Sequence, residues 1–227
     1  MGMNPDLEFV YVGDPMCSWC WGFAPVLDRM EEVYDVPIRF VAGGLRPGPD
    51  AEVINDQMEE RLAHHWHQVE EASGQPFDHA FLKRRDGWKY DTEVPAIAAV
   101  TMRTLDPKAV LPFHGRLQRA FYSEGVDITD RSVYPDLLEG FAVDPDEFLR
   151  RFESEEMKTK TWNDFAEARS LGASGFPTLL VFDGERYGIV TRGFVSADSL
   201  LPALSDWLLN QYSDEAEGLF CEPGVTC

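Results

Sequence analysis

Cys17-Ser18-Trp19-Cys20 puts two thiols three residues apart near the start of a 227-residue chain. Two chemistries use that spacing: reversible dithiol–disulfide exchange, and zinc binding with two further ligands from elsewhere. If a helix begins at Cys17, its sulfur lies beside backbone donors that have no intrahelical partner, at the positive end of the helix dipole. Both favour thiolate over thiol and make Cys17 the nucleophile. Cys20 sits one turn deeper, within reach of that sulfur. In the exchange cycle Cys17 attacks a substrate disulfide and Cys20 resolves the mixed disulfide that forms. A second pair, Cys221 and Cys227, flanks the turn signal Pro223-Gly224 near the C-terminus. It is a candidate auxiliary redox pair, or a source of zinc ligands if that segment folds back over the motif.

Other residues carry chemistry less specifically. Trp19, Trp21 and Phe23 crowd the motif. Trp19 reads as an apolar rim that would grip an extended substrate, Phe23 reads as core, and Trp21 fits either. Asp14 could relay a proton to Cys20, but before Pro15 a turn residue is the simpler reading. His64, His65 and His67 fall on one helical segment, where spacing alone forces no further ligand near them. A solvated face is expected and no metal site is assigned. His114 reads as a packing or surface residue.

The elements that must position the dithiol can be read on either side of it. Leu7–Val12 is a strand-like apolar run ended by Gly13-Asp14-Pro15. Trp19, Phe23, Val26, Leu27, Met30 and Val33 then follow helical spacing to about Tyr34, with Pro25 inside the helix. Pro37–Ala42 is a second strand, ended by Gly43-Gly44. Strand, helix, strand predicts a βαβ unit with a parallel pair, and this setting favours redox chemistry over zinc. From Asp50 to about Ser170 only helical periodicity is found. Helices are expected over 51–72, 77–85, 94–105, 109–124, 132–141 and 145–171, with Thr129 or Asp130 capping the fifth and Asp144 the sixth. Thr178–Phe182, the turn Asp183-Gly184 and Tyr187–Thr191 predict a hairpin. Asp198–Tyr212 is a closing amphipathic helix, followed by an acidic tail.

The C-x-x-C at a strand-to-helix junction, with Pro25 five residues on and Gly175-Phe176-Pro177-Thr178 before a later strand, resembles the thioredoxin superfamily. The large helical block between these half-motifs resembles its DsbA family. Asp14-Pro15-Met16-Cys17-Ser18-Trp19-Cys20-Trp21-Gly22 and Gly43-Gly44-Leu45-Arg46-Pro47-Gly48 are similar to the cytoplasmic FrnE-like, protein-disulfide-isomerase branch. The resemblance spans about Leu7 to Tyr212. It implies a cis peptide bond at Pro177, which would lie against the dithiol as part of the catalytic site. It also implies that Phe176 and Thr178, the neighbours of Pro177, offer backbone groups to the bound substrate. Relatives place Pro-His between the cysteines in the periplasmic oxidase. Ser18-Trp19 here gives no basis for a strongly oxidising character. Some FrnE-like relatives carry a C-terminal cysteine pair with four intervening residues, where Cys221 and Cys227 have five.

The expected fold is therefore α/β: a thioredoxin-like domain from residues 1–48 and 172–212, an inserted helical domain over 49–171, and a tail over 213–227. The expected activity is that of a protein disulfide oxidoreductase or isomerase, with a redox-active disulfide, no organic cofactor, and glutathione as a conceivable co-substrate. Two alternatives stay open. One is a glutathione-dependent isomerase of the 2-hydroxychromene-2-carboxylate type, against which the presence of both cysteines weighs. The other is a zinc- or redox-sensing binding protein. A formal net charge of -20 repels phosphate backbones and anionic lipid. Thiol or disulfide substrates, protein or small-molecule, are thus expected as partners, not nucleic acid or membrane. The N-terminal residues show no basic and apolar leader pattern, so the expected location is cytoplasmic. The chain is expected to act as a monomer or homodimer.

Overall fold

The computed structural model describes residues 6–83 and 87–210. The chain enters β1 (Glu8–Gly13), turns through Asp14-Pro15-Met16 into α1 (Ser18–Val33), and returns as β2 (Ile38–Ala42). β2 lies parallel to β1, as the strand–helix–strand pattern requires. α1 continues through Pro25 without ending. β3 (Glu52–Val53), α2 (Asp56–Ser73), α3 (Ala80–Lys83) and β4 (Lys89–Tyr90) follow. Then come α4 (Glu93–Leu105), α5 (Val110–Tyr122), α6 (Tyr134–Leu137), α7 (Pro145–Phe152) and α8 (Glu155–Ser170). The hairpin of β5 (Thr178–Phe182) and β6 (Tyr187–Arg192) and the helix α9 (Ala197–Asn210) close the described chain. The strands form one mixed sheet, β2-β1-β5-β6, with β1–β5 and β5–β6 antiparallel.

Side chains alternate across the sheet, as pleating demands. Phe9, Tyr11 and Phe40 face one side and meet Phe23, Val26, Leu27 and Met30 of α1 in the main core. Val10, Val12, Val41 and Leu180 face the other side, where Ala168, Leu171 and Ala173 cover them. Full burial of a side chain such as Phe23 is worth roughly 1.5–3 kcal/mol. A charged clip joins the helices to the sheet. Arg103 grips Asp164 with two hydrogen bonds of 2.7 and 2.8 Å and also donates to the Phe40 carbonyl, while the Ala42 amide donates to Asp164. These bonds fix α4 and α8 against β2.

The helical block departs from expectation in detail. β3 and β4 pair antiparallel inside a stretch read as purely helical; two residues per strand are too few to show alternation. The helix expected over 51–72 starts only at Asp56, where the Asn55 side chain accepts from the Met58 amide. The single helix expected over 145–171 is two. Ser154 caps α8 by accepting from the Met157 amide, which restarts the chain in a new direction. Asp144 caps α7 with Pro145 behind it, as expected. Asp130 caps a 3-10 turn at Arg131–Val133 ahead of α6. The segments expected as 77–85 and 132–141 contract to Ala80–Lys83 and Tyr134–Leu137. Among the described residues no helix is long and apolar enough to cross a membrane. Cys221 and Cys227 lie outside the described residues.

Candidate active site

Cys17 stands where β1 hands over to α1. Its amide donates to the Asp14 carbonyl at 3.0 Å, and its own carbonyl accepts from the Trp21 amide, so it is the residue that caps α1. Asp14 shapes this turn from within. It is fully buried, and its two carboxylate oxygens accept from the Met16 and Leu45 amides at 2.9 and 2.8 Å. Burial pushes its carboxyl up to about 6, against the pull of these amides, Thr92 and Arg46. Asp14 is thus the buried turn residue that ties the segment before Cys17 to the Gly43-Gly44-Leu45-Arg46 loop. Thr92 completes the tie by accepting from the Arg46 amide at 3.0 Å.

Both cysteines are free thiols. The Cys17 thiol donates to the Phe176 carbonyl at 3.5 Å, across the molecule from the other half of the site. The Phe176-Pro177 peptide bond is cis. The Phe176 ring lies over Gly43 so closely that a Cβ at Gly43 would overlap it. Gly43, directly after β2, thus lets the two halves of the site close on each other. Thr178 is fully buried at the start of β5, and its hydroxyl donates to the Gly175 carbonyl.

In front of Cys17 lies a groove of about 190 Å3, lined by Met16, Ser18, Trp19, Leu45, Arg46, Leu62, His65, Trp66, Tyr90 and Phe176. Trp19 is half-buried and held between Phe194 and the edge of His65. Burial, and lesser repulsion from His64 and Arg46, lower the His65 pKa, so its ring is neutral near pH 7. Arg46 lies over the Tyr90 ring, with its Nε donating to Glu52 at 3.0 Å. Tyr90 in turn donates to the Met16 carbonyl at 2.6 Å.

Behind the motif the surroundings change. Cys20 is fully buried. Burial pushes its thiol well up, and the Cys17 sulfur, with which it shares a hydrogen bond, pushes it further; the Asp14 amide and the Tyr11 hydroxyl pull the other way. Tyr11 lies against Cys20 but makes no hydrogen bond of full geometry. Burial first, then Cys20, hold its hydroxyl in the protonated form. A Cβ on Gly13 would overlap the Tyr11 ring, so this glycine leaves the space Tyr11 occupies. Phe23 is core, as expected. Trp21 proves to be core as well: it is 2% exposed, with its indole N–H donated to the Pro76 carbonyl at 3.1 Å. His114 is also internal, packed on Tyr11 and Phe40, and burial lowers its pKa to about 3.

The motif reading missed Tyr11, Arg46, His65 and Tyr90. Tyr11 had a local signal, since it shares the strand face of Phe9. His65 had a weaker one, beside the Met58, Leu62, Trp66 stripe of α2. Arg46 and Tyr90 meet the dithiol only through long-range folding.

The model of the DSBA-like thioredoxin domain family matches residues 9–205. Among solved structures, one assigned as a candidate protein disulfide isomerase from Nitrosomonas europaea is 30% identical, with a TM-score of 0.80, over 91% of this chain and 99% of that one. The cytosolic disulfide reductase DsbM from Pseudomonas aeruginosa is 24% identical with a TM-score of 0.70, over 90% of this chain and 96% of that one. The DsbM likeness is one of fold. The ClpXP adapter protein SpxH of Halalkalibacterium halodurans is 23% identical over 213 residues, covering 89% of this chain and 68% of the adapter.

Proposed function

The chain belongs to the DSBA-like thioredoxin domain family, and on that footing we propose that it is a dithiol–disulfide oxidoreductase acting as a reductase or disulfide isomerase. The observation that carries this reading is the unequal placement of two neighbouring sulfurs. Cys17 borders the groove and touches the Phe176 carbonyl, whereas Cys20 is sealed behind it. Cys17 as thiolate attacks one sulfur of a substrate disulfide. The new bond forms as the substrate S–S bond breaks, and the released thiolate takes a proton. Cys20 then loses its proton and attacks the Cys17 sulfur, releasing the second substrate thiol. The net change is one substrate disulfide reduced to two thiols and Cys17–Cys20 oxidised.

The remaining residues divide the work. Trp19 and Phe176 offer apolar surface to the substrate, and Pro177 closes the site beside Cys17. Thr178 contributes through its backbone, since its hydroxyl is bound to Gly175. Arg46 favours substrates with a carboxylate near the disulfide, such as glutathione disulfide. Tyr11, held protonated, can donate to the Cys20 thiolate as it forms. The reaction needs no organic cofactor and no metal. Glutathione serves as a co-substrate, and Cys221 with Cys227 passes electrons to or from the main dithiol. We place the protein in the cytoplasm, as a monomer or homodimer.

The test is insulin reduction and refolding of a scrambled disulfide protein. Cys17→Ser is expected to abolish both. Retained activity would overturn the assignment. The SpxH likeness supports one second reading, a non-catalytic adapter that holds a client on the same groove. That reading predicts client binding undiminished by Cys17→Ser and weakened by Trp19→Ala.

A further inference from the structure

His64, His65 and His67 share one helix without a common partner in the sequence. The structure supplies one for His67. Glu70 stands one turn further along α2, the helix ends at Gly74 in the left-handed conformation (φ 73°), and the returning chain lays His79 beside both. His79 Nε2 is 2.9 Å from Glu70 Oε2, and His67 Nδ1 is 3.7 Å from the same oxygen. One donor atom from each of the three residues lies within 4.8 Å of the others. We propose that His67, Glu70 and His79 bind a divalent transition cation of the zinc class, at a site separate from the dithiol.

The donor set points to that class of ion. Two imidazole nitrogens and one carboxylate oxygen suit zinc and its neighbours, and they leave a position for water. Calcium and magnesium prefer oxygen donors alone. The spacing also fits. With metal–ligand distances of about 2.0–2.1 Å, ligand atoms around a tetrahedral ion stand roughly 3.4 Å apart. The distances of 2.9 and 3.7 Å fall on either side of that value.

One adjustment is required. The His67 and His79 rings are stacked, with centroids 3.9 Å apart and planes at 16°. An imidazole binds a metal in its own plane, so one ring must turn. His67 is free to do so, because its side chain is 66% exposed. His79 and Glu70 are less exposed and hold each other in place. The ion replaces the hydrogen shared between them. The acidic character of the chain raises the local concentration of cations around any such site.

The site has a structural consequence. Residues 75–79 form the turn that braces Trp21, next to Cys20: Gln75 donates to the Trp21 carbonyl, and Pro76 accepts from the Trp21 indole. An ion joining His79 to α2 would clamp that turn.

Thiolates also bind zinc, so the test removes them. The full-length chain with Cys17, Cys20, Cys221 and Cys227 replaced by serine is titrated with zinc chloride by calorimetry. Binding of one ion per chain is expected, together with a rise in the unfolding temperature on zinc addition. His79→Ala and Glu70→Gln should each weaken binding by about tenfold or more, as loss of a ligand does. His67→Ala, at an exposed position, guards against loss of folding and should do the same, while His64→Ala should change nothing. No binding up to about 1 mM zinc, or binding that survives both His67→Ala and His79→Ala, would overturn the proposal.

Discussion

The groove in front of Cys17 and the chamber behind Cys20 are built from opposite materials. The groove draws half-exposed side chains from separate segments: Trp19 from α1, Arg46 from the loop after β2, His65 from α2 and Phe176 from the loop before β5. The chamber uses side chains with no exposure, Tyr11 and Phe23, with His114 packed on Tyr11. A surface that must accept a substrate has to remain partly wet. A surface that must hold a thiol until it is needed is better sealed, because burial disfavours its thiolate. Substitutions in the chamber should therefore change stability and proton chemistry, and those in the groove should change substrate selection.

The largest expected effect lies in the chamber. Phe23→Ala should cost about 3–5 kcal/mol, the usual loss for a fully buried aromatic, read by urea unfolding. Trp19→Ala, one turn away on the groove side, should cost under about 1 kcal/mol of stability while raising KM. Equal stability losses would break the contrast.

Two buried titrating groups give the next effect, with opposite signs. His114 has its folded-state pKa lowered from 6.5 to about 3. Its contribution to stability is complete above pH 6.5 and is lost as pH falls towards 3, on the order of 4 kcal/mol across that window. Asp14 has its folded-state pKa raised from 3.8 to about 6. Its contribution is complete below pH 3.8 and is lost as pH rises through 6, on the order of 3 kcal/mol. The two cancel in part between pH 4 and 6. Unfolding free energies measured across pH should show less acid loss in His114→Gln and a steeper acid loss in Asp14→Asn. Superimposable profiles would mean that neither group is sealed as described.

Smaller effects concern catalysis. Tyr11→Phe removes the hydroxyl beside Cys20 without emptying the space. It should slow release of the second thiol by about tenfold, the equivalent of one hydrogen bond to a charged sulfur. The mixed disulfide would then accumulate in stopped-flow traces. Arg46→Ala should raise KM for glutathione disulfide by roughly threefold, an effect that salt diminishes. An uncharged disulfide substrate should be unaffected.

Much of this architecture was legible in sequence because local patterns change character at the right places. The apolar run Leu7–Val12, the helical spacing after Cys17 and the Asp183-Gly184 turn each announce one of the elements that build or cover the sheet. The interior of the helical block was harder to read. Nothing but the Ser154 cap separates α7 from α8, and a two-residue strand such as β3 has no period to detect. The dithiol itself was visible, and so were Trp19 and Phe176 beside it, but the remaining walls were not. Arg46 and Tyr90 are brought to Cys17 by chain closure over tens of residues, which spacing rules do not encode. Likewise His79 joins His67 only because the chain reverses at Gly74.

The central claim is that Cys17 attacks and Cys20 resolves. Incubating the Cys20→Ser and Cys17→Ser variants separately with glutathione disulfide, followed by mass spectrometry of the peptides, tests it most directly. A stable glutathione adduct on Cys17 is expected in the first variant, and an unmodified Cys20 in the second at the same time point. An adduct forming on Cys20 as fast as on Cys17 would contradict the claim.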